Sequence, residues 1–257
     1  KPPPLRLIPR IRSTLNVRNE TEIMVVAEGA RFIHHAEAIY FWAAVKKKAP
    51  FLKRWQNNAI KKKADSILID HARQFTGLAP IPGISPRDVQ YTQFKQSMSA
   101  TPYVVVVDHS WRSVCISIRG TVSIEDMLTD ITLQPAELQD QGELRGFDGT
   151  GKFCHRGVKA RVEWIYDDLK ENCNLHDLLV SDDAPFKGYR LRVTGHSLGA
   201  ACAALLTLFL RNGFPRVRCL AFSPPGCTVS ENLSIEMEEY VTSYILDTDV
   251  VGRASAE

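Results

Sequence analysis

The sequence predicts an α/β domain on a largely parallel sheet, and three observations carry that reading. Short β-branched runs at 104–107, 114–118, 217–222 and 240–246 alternate with stretches whose apolar residues recur at helical spacing. A serine stands between two glycines, Gly195-His196-Ser197-Leu198-Gly199, where the alternating segment 189–194 gives way to the Ala- and Leu-rich stretch 200–211 and then Asn212-Gly213. The 257 residues, 44% hydrophobic, suffice for the core of one such domain. Parallel strands followed by helices place function at the carboxyl ends of the strands.

In chain order, residues 1–21 read as a basic, Pro-rich arm and 22–257 as the domain. Residues 22–45 have helical spacing, with Ile33, Ala36, Tyr40 and Ala44 on the expected buried stripe; His34 and His35 within it read as packing or surface residues. Three prolines and two glycines in 77–86 break helical structure ahead of the sheet. Strands 104–107 and 114–118, joined through Asp108-His109-Ser110, read as a hairpin. Ser123, with Asp126 three residues on, opens a short helix by the capping-box pattern. The polar, Gly-containing stretch 133–152 reads as a loop, and 158–172 as a helix with Val158, Val162, Ile165 and Leu169 on one face.

Composition excludes several classes. The most apolar run, 200–210, is about half of the roughly 20 residues that cross a bilayer as a helix. The six cysteines form no Cys-x-x-Cys pair and no framework, and several sit in apolar patterns, which points to packed thiols in a reducing, intracellular compartment. Two tripeptides, Asn19-Glu20-Thr21 and Asn232-Leu233-Ser234, fit the glycosylation pattern but are common by chance. The net charge of +3 conceals an asymmetry: residues 1–63 carry 14 Lys or Arg against 4 Asp or Glu, the remainder 18 against 25. Lys46-Lys47-Lys48, Lys53-Arg54 and Lys61-Lys62-Lys63 surround Phe51, Leu52 and Trp55, a mixture suited to an anionic membrane surface on the cytosolic face. No recognised module accompanies the patch, so nucleic acid is not an expected partner. Gly146 to Lys152 has P-loop spacing, but Phe153 replaces the Ser or Thr that would meet Mg²⁺ and no apolar strand leads into it. No metal-ligand spacing is present either.

The Gly-x-Ser-x-Gly junction has the form of a nucleophile elbow, in which a tight strand-to-helix turn projects the serine oxygen clear of an α/β-hydrolase sheet. Ser197 is then the nucleophile, and the Leu198 backbone N–H is the first oxyanion donor, at the positive end of a helix. The second donor comes from a turn after an earlier strand, where Arg119-Gly120-Thr121 makes Thr121 the candidate. In the chain order Ser, acid, His, Asp249 leads as the acid, with Asp247 its rival. All seven histidines precede Asp249. Of these, His196 adjoins the nucleophile and points away from its oxygen, and His155 reads as a packing or loop-anchoring residue.

These residues resemble a family. Ser117 to Asp126 (SIRGTVSIED), Cys154-His155-Arg156-Gly157, Gly195 to Ala200 (GHSLGA) and Asp249-Val250-Val251 are similar to the class 3, fungal-type lipases. Within these the chain looks most like the sn-1-specific diacylglycerol lipases, on Ala221 to Gly226 (AFSPPG) and the 52-residue interval from Ser197 to Asp249. The resemblance covers roughly 32–253. It implies an α/β-hydrolase fold and Ser197 as nucleophile. Asp249 is the implied acid, and Thr121 with Leu198 the implied oxyanion hole. It further implies a lid in 123–130 and the loop after it, and a lipid ester as substrate at a membrane surface. No cofactor is needed for the chemistry, and Ca²⁺ enters only as a possibility the family raises. Two departures stand out: Gly252 replaces the family's usual Pro, and the family's histidine beyond the acid has no counterpart here. Truncation at the carboxyl terminus is the expectation that accounts for the second.

Overall fold

The structure, a computed structural model, describes residues 20–48, 81–120, 134–246 and 249–253, apart from Pro82, Met98, Cys227 and Val250. Helix α1 (Glu20–Lys48) precedes a hairpin-linked set of strands, β1 (Val89–Gln93), β2 (Tyr103–Asp108) and β3 (Ser113–Ile118). A small ribbon of β4 (Pro135–Glu137) and β5 (Phe153–His155) brackets α2 (Gln139–Arg145), and α3 (Arg156–Asn172) and α4 (Leu175–Leu179) follow. Then come β6 (Arg190–His196), α5 (Leu198–Leu210), β7 (Arg218–Phe222), α6 (Glu231–Met237) and β8 (Val241–Tyr244). The six-stranded sheet has the order β1-β2-β3-β6-β7-β8. The expected hairpin of β2 and β3 is present, antiparallel, and β3, β6, β7 and β8 run parallel. This is the α/β-hydrolase architecture the elbow predicts.

Both faces of the sheet are covered, which is why its strands read as unbroken apolar runs. Val105, Val107, Ile116 and Val193 point toward α3 and α5, where Val158, Val162, Ile165, Leu205 and Leu206 meet them. Their alternates face α1: Cys115, Leu220 and Phe222 pack on Phe32 and Ala36, and Val104 and Val106 on Ile39. The α1 stripe is therefore Phe32, His35, Ala36 and Ile39. It is rotated from the expected one, since Ile33 is exposed and Tyr40 half-buried. The bulk of Phe32 and Ile39 sets the face, and a histidine inside it disguises the periodicity. Ala44 lies where side chains are outside the described residues.

The stretch expected as a loop, 133–152, instead holds β4 and α2. The helix has no apolar stripe to reveal it. Arg145 anchors it, its guanidinium stacked 4.5 Å from the Tyr166 ring and 4.4 Å from Phe209, and Gly146 at φ 77° closes its end. The P-loop-like segment that follows is structural: Lys152 bonds the Asp148 carbonyl and pairs with Glu236 of α6. Five cysteines (Cys115, Cys154, Cys173, Cys202 and Cys219) are buried free thiols, as their apolar settings suggested, and Cys227 lies outside the described residues. The basic segment 49–63 and the helix expected from Ser123 and Asp126 also lie outside them. Among the described residues no helix is long and apolar enough to cross a membrane.

A buried carboxylate ties α1 to the sheet. Asp108, 0% exposed at the end of β2, accepts from Arg31 Nε at 2.6 Å and from His35 Nε2 at 3.1 Å on one oxygen. Ser110 Oγ at 2.6 Å and the Trp111 N–H at 3.2 Å donate to the other. Burial alone would raise the carboxyl's pKa, but the bonds from His35, Arg31 and Ser110 overcome it and hold Asp108 well below the usual range. Burial likewise draws the His35 imidazole down, against the opposing pull of Asp108. Each shift favours the deprotonated form in the folded chain, so the stabilisation is complete above the unfolded values. It declines as pH falls below about 6.5 through His35, and again below about pH 4 through Asp108. Urea unfolding between pH 8 and pH 3 should trace that decline. Asp108→Asn should flatten the part below pH 4 and lower stability at pH 7 by about 3–5 kcal/mol, the cost of stranding a buried partner.

Candidate active site

The elbow forms at the carboxyl end of β6, in the middle of the parallel strands. Ser197 has φ 56° and ψ −128°, a backbone conformation that a side chain adopts only under strain. The Ser197 N–H donates to the Phe222 carbonyl at 2.9 Å, tying the turn to β7, while its carbonyl accepts from the Ala200 and Ala201 amides at 2.9 and 3.3 Å. These bonds hold the corner. Ser197 is itself only 6% exposed.

The flanking glycines are there because backbones touch. A Cβ on Gly195 would lie 2.4 Å from the Gly199 carbonyl carbon and 2.8 Å from Ile118 O. One on Gly199 would lie 2.4 Å from Ile118 O and 2.8 Å from Gly120 N. Strand β6, the start of α5 and the end of β3 thus converge on one point with no room for a methyl group. The Leu198 amide, first in α5, has no intrahelical acceptor and lies at the positive end of that helix. Gly120, the last described residue before Thr121, is buried in the same contact. Thr121 itself and the expected lid, 123–130, lie outside the described residues.

Asp249 stands beyond β8, half-buried. Its N–H donates to Leu246 O at 2.9 Å and its Oδ1 accepts from the Val251 N–H at 2.9 Å, a local turn that fixes the carboxylate. Val251 O in turn accepts from the Gly226 N–H at 3.2 Å, so the turn is attached to the segment after β7. The rival acid, Asp247, lies outside the described residues. Burial lowers the pKa of His196, and the charge of Asp249, followed by that of Glu37, pulls it back upward.

Each described histidine has a place. His35 serves Asp108, and His34 is exposed. His109 bonds Tyr189 and Asp88 at the opposite end of the strands. His155 caps α3 by accepting from the Val158 N–H at 3.4 Å, the anchoring role expected of it. His176 is exposed beside Asp177. His196 meets the Tyr40 hydroxyl, with Nδ1 at 3.3 Å. His71 lies outside the described residues. The α1 contact with the elbow through Tyr40 is what sequence reading missed, since periodicity marks Tyr40 as a packing residue and says nothing of its hydroxyl.

The sequence profile described as Lipase (class 3) matches residues 115–257, more than half of the chain. The chain belongs to the class 3 lipase family. Diacylglycerol lipase-beta of Mus musculus is 30% identical over 243 residues, 92% of this class 3 lipase chain but 35% of that protein. Diacylglycerol lipase-alpha of Homo sapiens is 38% identical over 167 residues, 65% of this chain and 16% of that protein. The chain thus spans about a third or less of these relatives. A crystal structure of a lipase from Rhizopus microsporus var. chinensis superposes with a TM-score of 0.62 at 16% identity, covering 99% of this chain and 75% of that one. That likeness concerns the fold. The family is one of carboxylic ester hydrolases, so a lipid ester is its class of substrate.

The convergence of β3, β6 and α5 makes a sharp expectation. Gly195→Ala drives its new Cβ into backbone that cannot yield, so a loss of about 2–3 kcal/mol in unfolding free energy should accompany displacement of Ser197. Gly213→Ala, whose Cβ would come no nearer than 3.9 Å to Leu210 O, should stay within about 0.5 kcal/mol of the parent. Denaturant unfolding of the two variants measures the difference.

Proposed function

We propose that this chain carries the nucleophile, the acid and the oxyanion donors of a serine lipase that hydrolyses an acyl ester of diacylglycerol to a monoacylglycerol and a fatty acid. The observation that carries the reading is Ser197 at positive φ between Gly195 and Gly199, at the start of α5. A strained serine aimed off the end of a parallel sheet serves nucleophilic attack. The diacylglycerol substrate rests on the two relatives' names and on their 30% and 38% identities.

In this mechanism Ser197 Oγ attacks the ester carbonyl carbon and gives its proton to a base, in the family pattern a histidine oriented by Asp249, a place that none of the described histidines takes. The tetrahedral oxyanion takes hydrogen bonds from the Leu198 N–H and from Thr121. Collapse expels the glyceride oxygen, which leaves with the base's proton, and the acyl group remains on Ser197. Water, deprotonated by the same base, then attacks the acyl carbon, releasing the fatty acid and restoring Ser197. Gly120 in contact with the elbow supports Thr121 as a donor, because it brings the preceding residue to within reach of the α5 start. Asp249 as the acid is supported by its fixed turn and its influence on His196. Among the described residues no group of three or more His, Cys, Asp or Glu side chains is arranged to hold a metal ion. No step is assigned to Ca²⁺. The basic segment around Lys46 to Lys63 is suited to draw the protein to an anionic lipid surface, where the substrate resides.

In the whole protein, base included, Ser197→Ala should reduce fatty-acid release from diacylglycerol vesicles by about 10⁶-fold, and Asp249→Asn by about 10⁴-fold. A fluorophosphonate probe should label the parent at Ser197 and not the Ser197→Ala protein. Activity that survives Ser197→Ala would overturn the hydrolase assignment, and an unlabelled parent would favour a lipid-surface scaffold. Faster turnover of a phospholipid or a triacylglycerol would replace the substrate and leave the nucleophile standing.

A further inference from the structure

The Tyr40 hydroxyl occupies an unusual position. Strands β3 and β6 pair through Ile118 and Gly195, and beyond that point their ladder ends. His196 follows Gly195 directly and precedes Ser197, while Gly120 lies two residues past Ile118, beyond Arg119, and precedes Thr121. Between them sits Tyr40 of α1. Its oxygen accepts the Gly120 N–H at 3.1 Å, and His196 Nδ1 and His196 O lie 3.3 and 3.4 Å from the same oxygen. The hydroxyl hydrogen therefore has an acceptor on the β6 side while the lone pair receives the β3 side. The two rings meet edge to face with centroids 6.1 Å apart.

The packing leaves little slack. A Cβ on Gly120 would fall 2.4 Å from both Tyr40 Oη and His196 O. Burial raises the Tyr40 pKa, so the group stays protonated and able to donate. Burial also keeps His196 on the neutral side, with a lone pair to offer. Ile39, adjacent in sequence, is wholly buried against Val104 and Val106, which fixes the helix turn that presents Tyr40.

We infer that Tyr40 is a positioning residue for the reaction proposed above: its hydroxyl bridges the ends of β3 and β6 and sets the spacing between Gly120 and the Ser197 elbow. The inference rests on Ser197 being the nucleophile. Removing the hydroxyl leaves the buried Gly120 N–H without its acceptor, and Gly120 shifts against the elbow to satisfy it. A displacement of about 1 Å in a group that stabilises the transition state is worth about 10²-fold in rate.

The test compares the whole protein with Tyr40→Phe and Ser197→Ala variants, on diacylglycerol vesicles and with a fluorophosphonate probe. Rates are normalised to the folded fraction, read from near-ultraviolet circular dichroism. Tyr40→Phe should lower kcat by about 10- to 100-fold, leave KM within about twofold, and slow probe labelling of Ser197 by a similar factor. A residue that merely stabilises the fold would lower the melting temperature and leave normalised kcat and labelling at the parent values, and that result overturns the inference. A rise in KM with kcat unchanged overturns it as well, because it would place Tyr40 in substrate binding. If Ser197→Ala stays active, the hydrolase reading fails. If Ser197→Ala is inactive while Tyr40→Phe equals the parent, only the Tyr40 inference fails.

Discussion

A backbone contact governs this molecule: Gly195 and Gly199 pressed against Ile118 and Gly120 beneath a serine at positive φ. The strain at such a residue is of order 1–3 kcal/mol. It is sustained because everything around it is more strongly determined. The Ser197 N–H is bonded to β7, and α5 buries Leu205, Leu206 and Phe209 between the sheet and α3. Each of those side chains contributes about 1.5–3 kcal/mol on burial. Three such residues outweigh the strained corner several-fold, so the elbow is held by the core.

The two faces of the sheet do different work. The α3 and α5 side is almost wholly apolar, and it supplies the rigidity that fixes the elbow. The α1 side mixes apolar contacts with charge: Asp108 with Arg31 and His35, and Arg192 with Glu28 at 2.6 Å. Charged partners give α1 a unique axial setting that apolar side chains alone would leave free to slide. That setting brings Tyr40 to the carboxyl end of the strands.

The parts of this fold that were legible in the sequence are those written in local pattern. The elbow is read from residue types at fixed spacing, and strands covered on both faces betray themselves as runs such as Val104 to Val107. Other parts depend on partners far along the chain. Strand β1, with Gln90, Tyr91, Thr92 and Gln93, carries no apolar run, and its Tyr91 hydroxyl is directed to Asp168, 77 residues away. The helix α2 is invisible because an arginine stacked on two rings, and no apolar stripe, secures it. The α1 face was misjudged by one residue for a similar reason, since His35 looks polar until Asp108 is known to be opposite it. Within the candidate site, Ser197 and Leu198 follow from the motif, Asp249 from chain order, and Thr121 from its turn after an earlier strand. The base is the member for which no local pattern exists.

Helix α1 precedes every strand of the sheet, yet its partners are spread along the whole chain. Arg31 meets Asp108 77 residues on, Glu28 meets Arg192 164 residues on, and the Val25 carbonyl receives the Tyr244 hydroxyl 219 residues on. A nascent chain therefore makes this helix before the sheet that receives it. Until β7 and β8 exist, Phe32 and Ala36 have no Leu220 or Phe222 to cover, and one side of the growing sheet faces solvent. Contacts of such long sequence separation slow folding and leave apolar surface open to other chains in the meantime. Synthesis of β7 and β8 thus completes the surface on which Phe32 and Ala36 close, and a translation product stalled before them would leave that surface open.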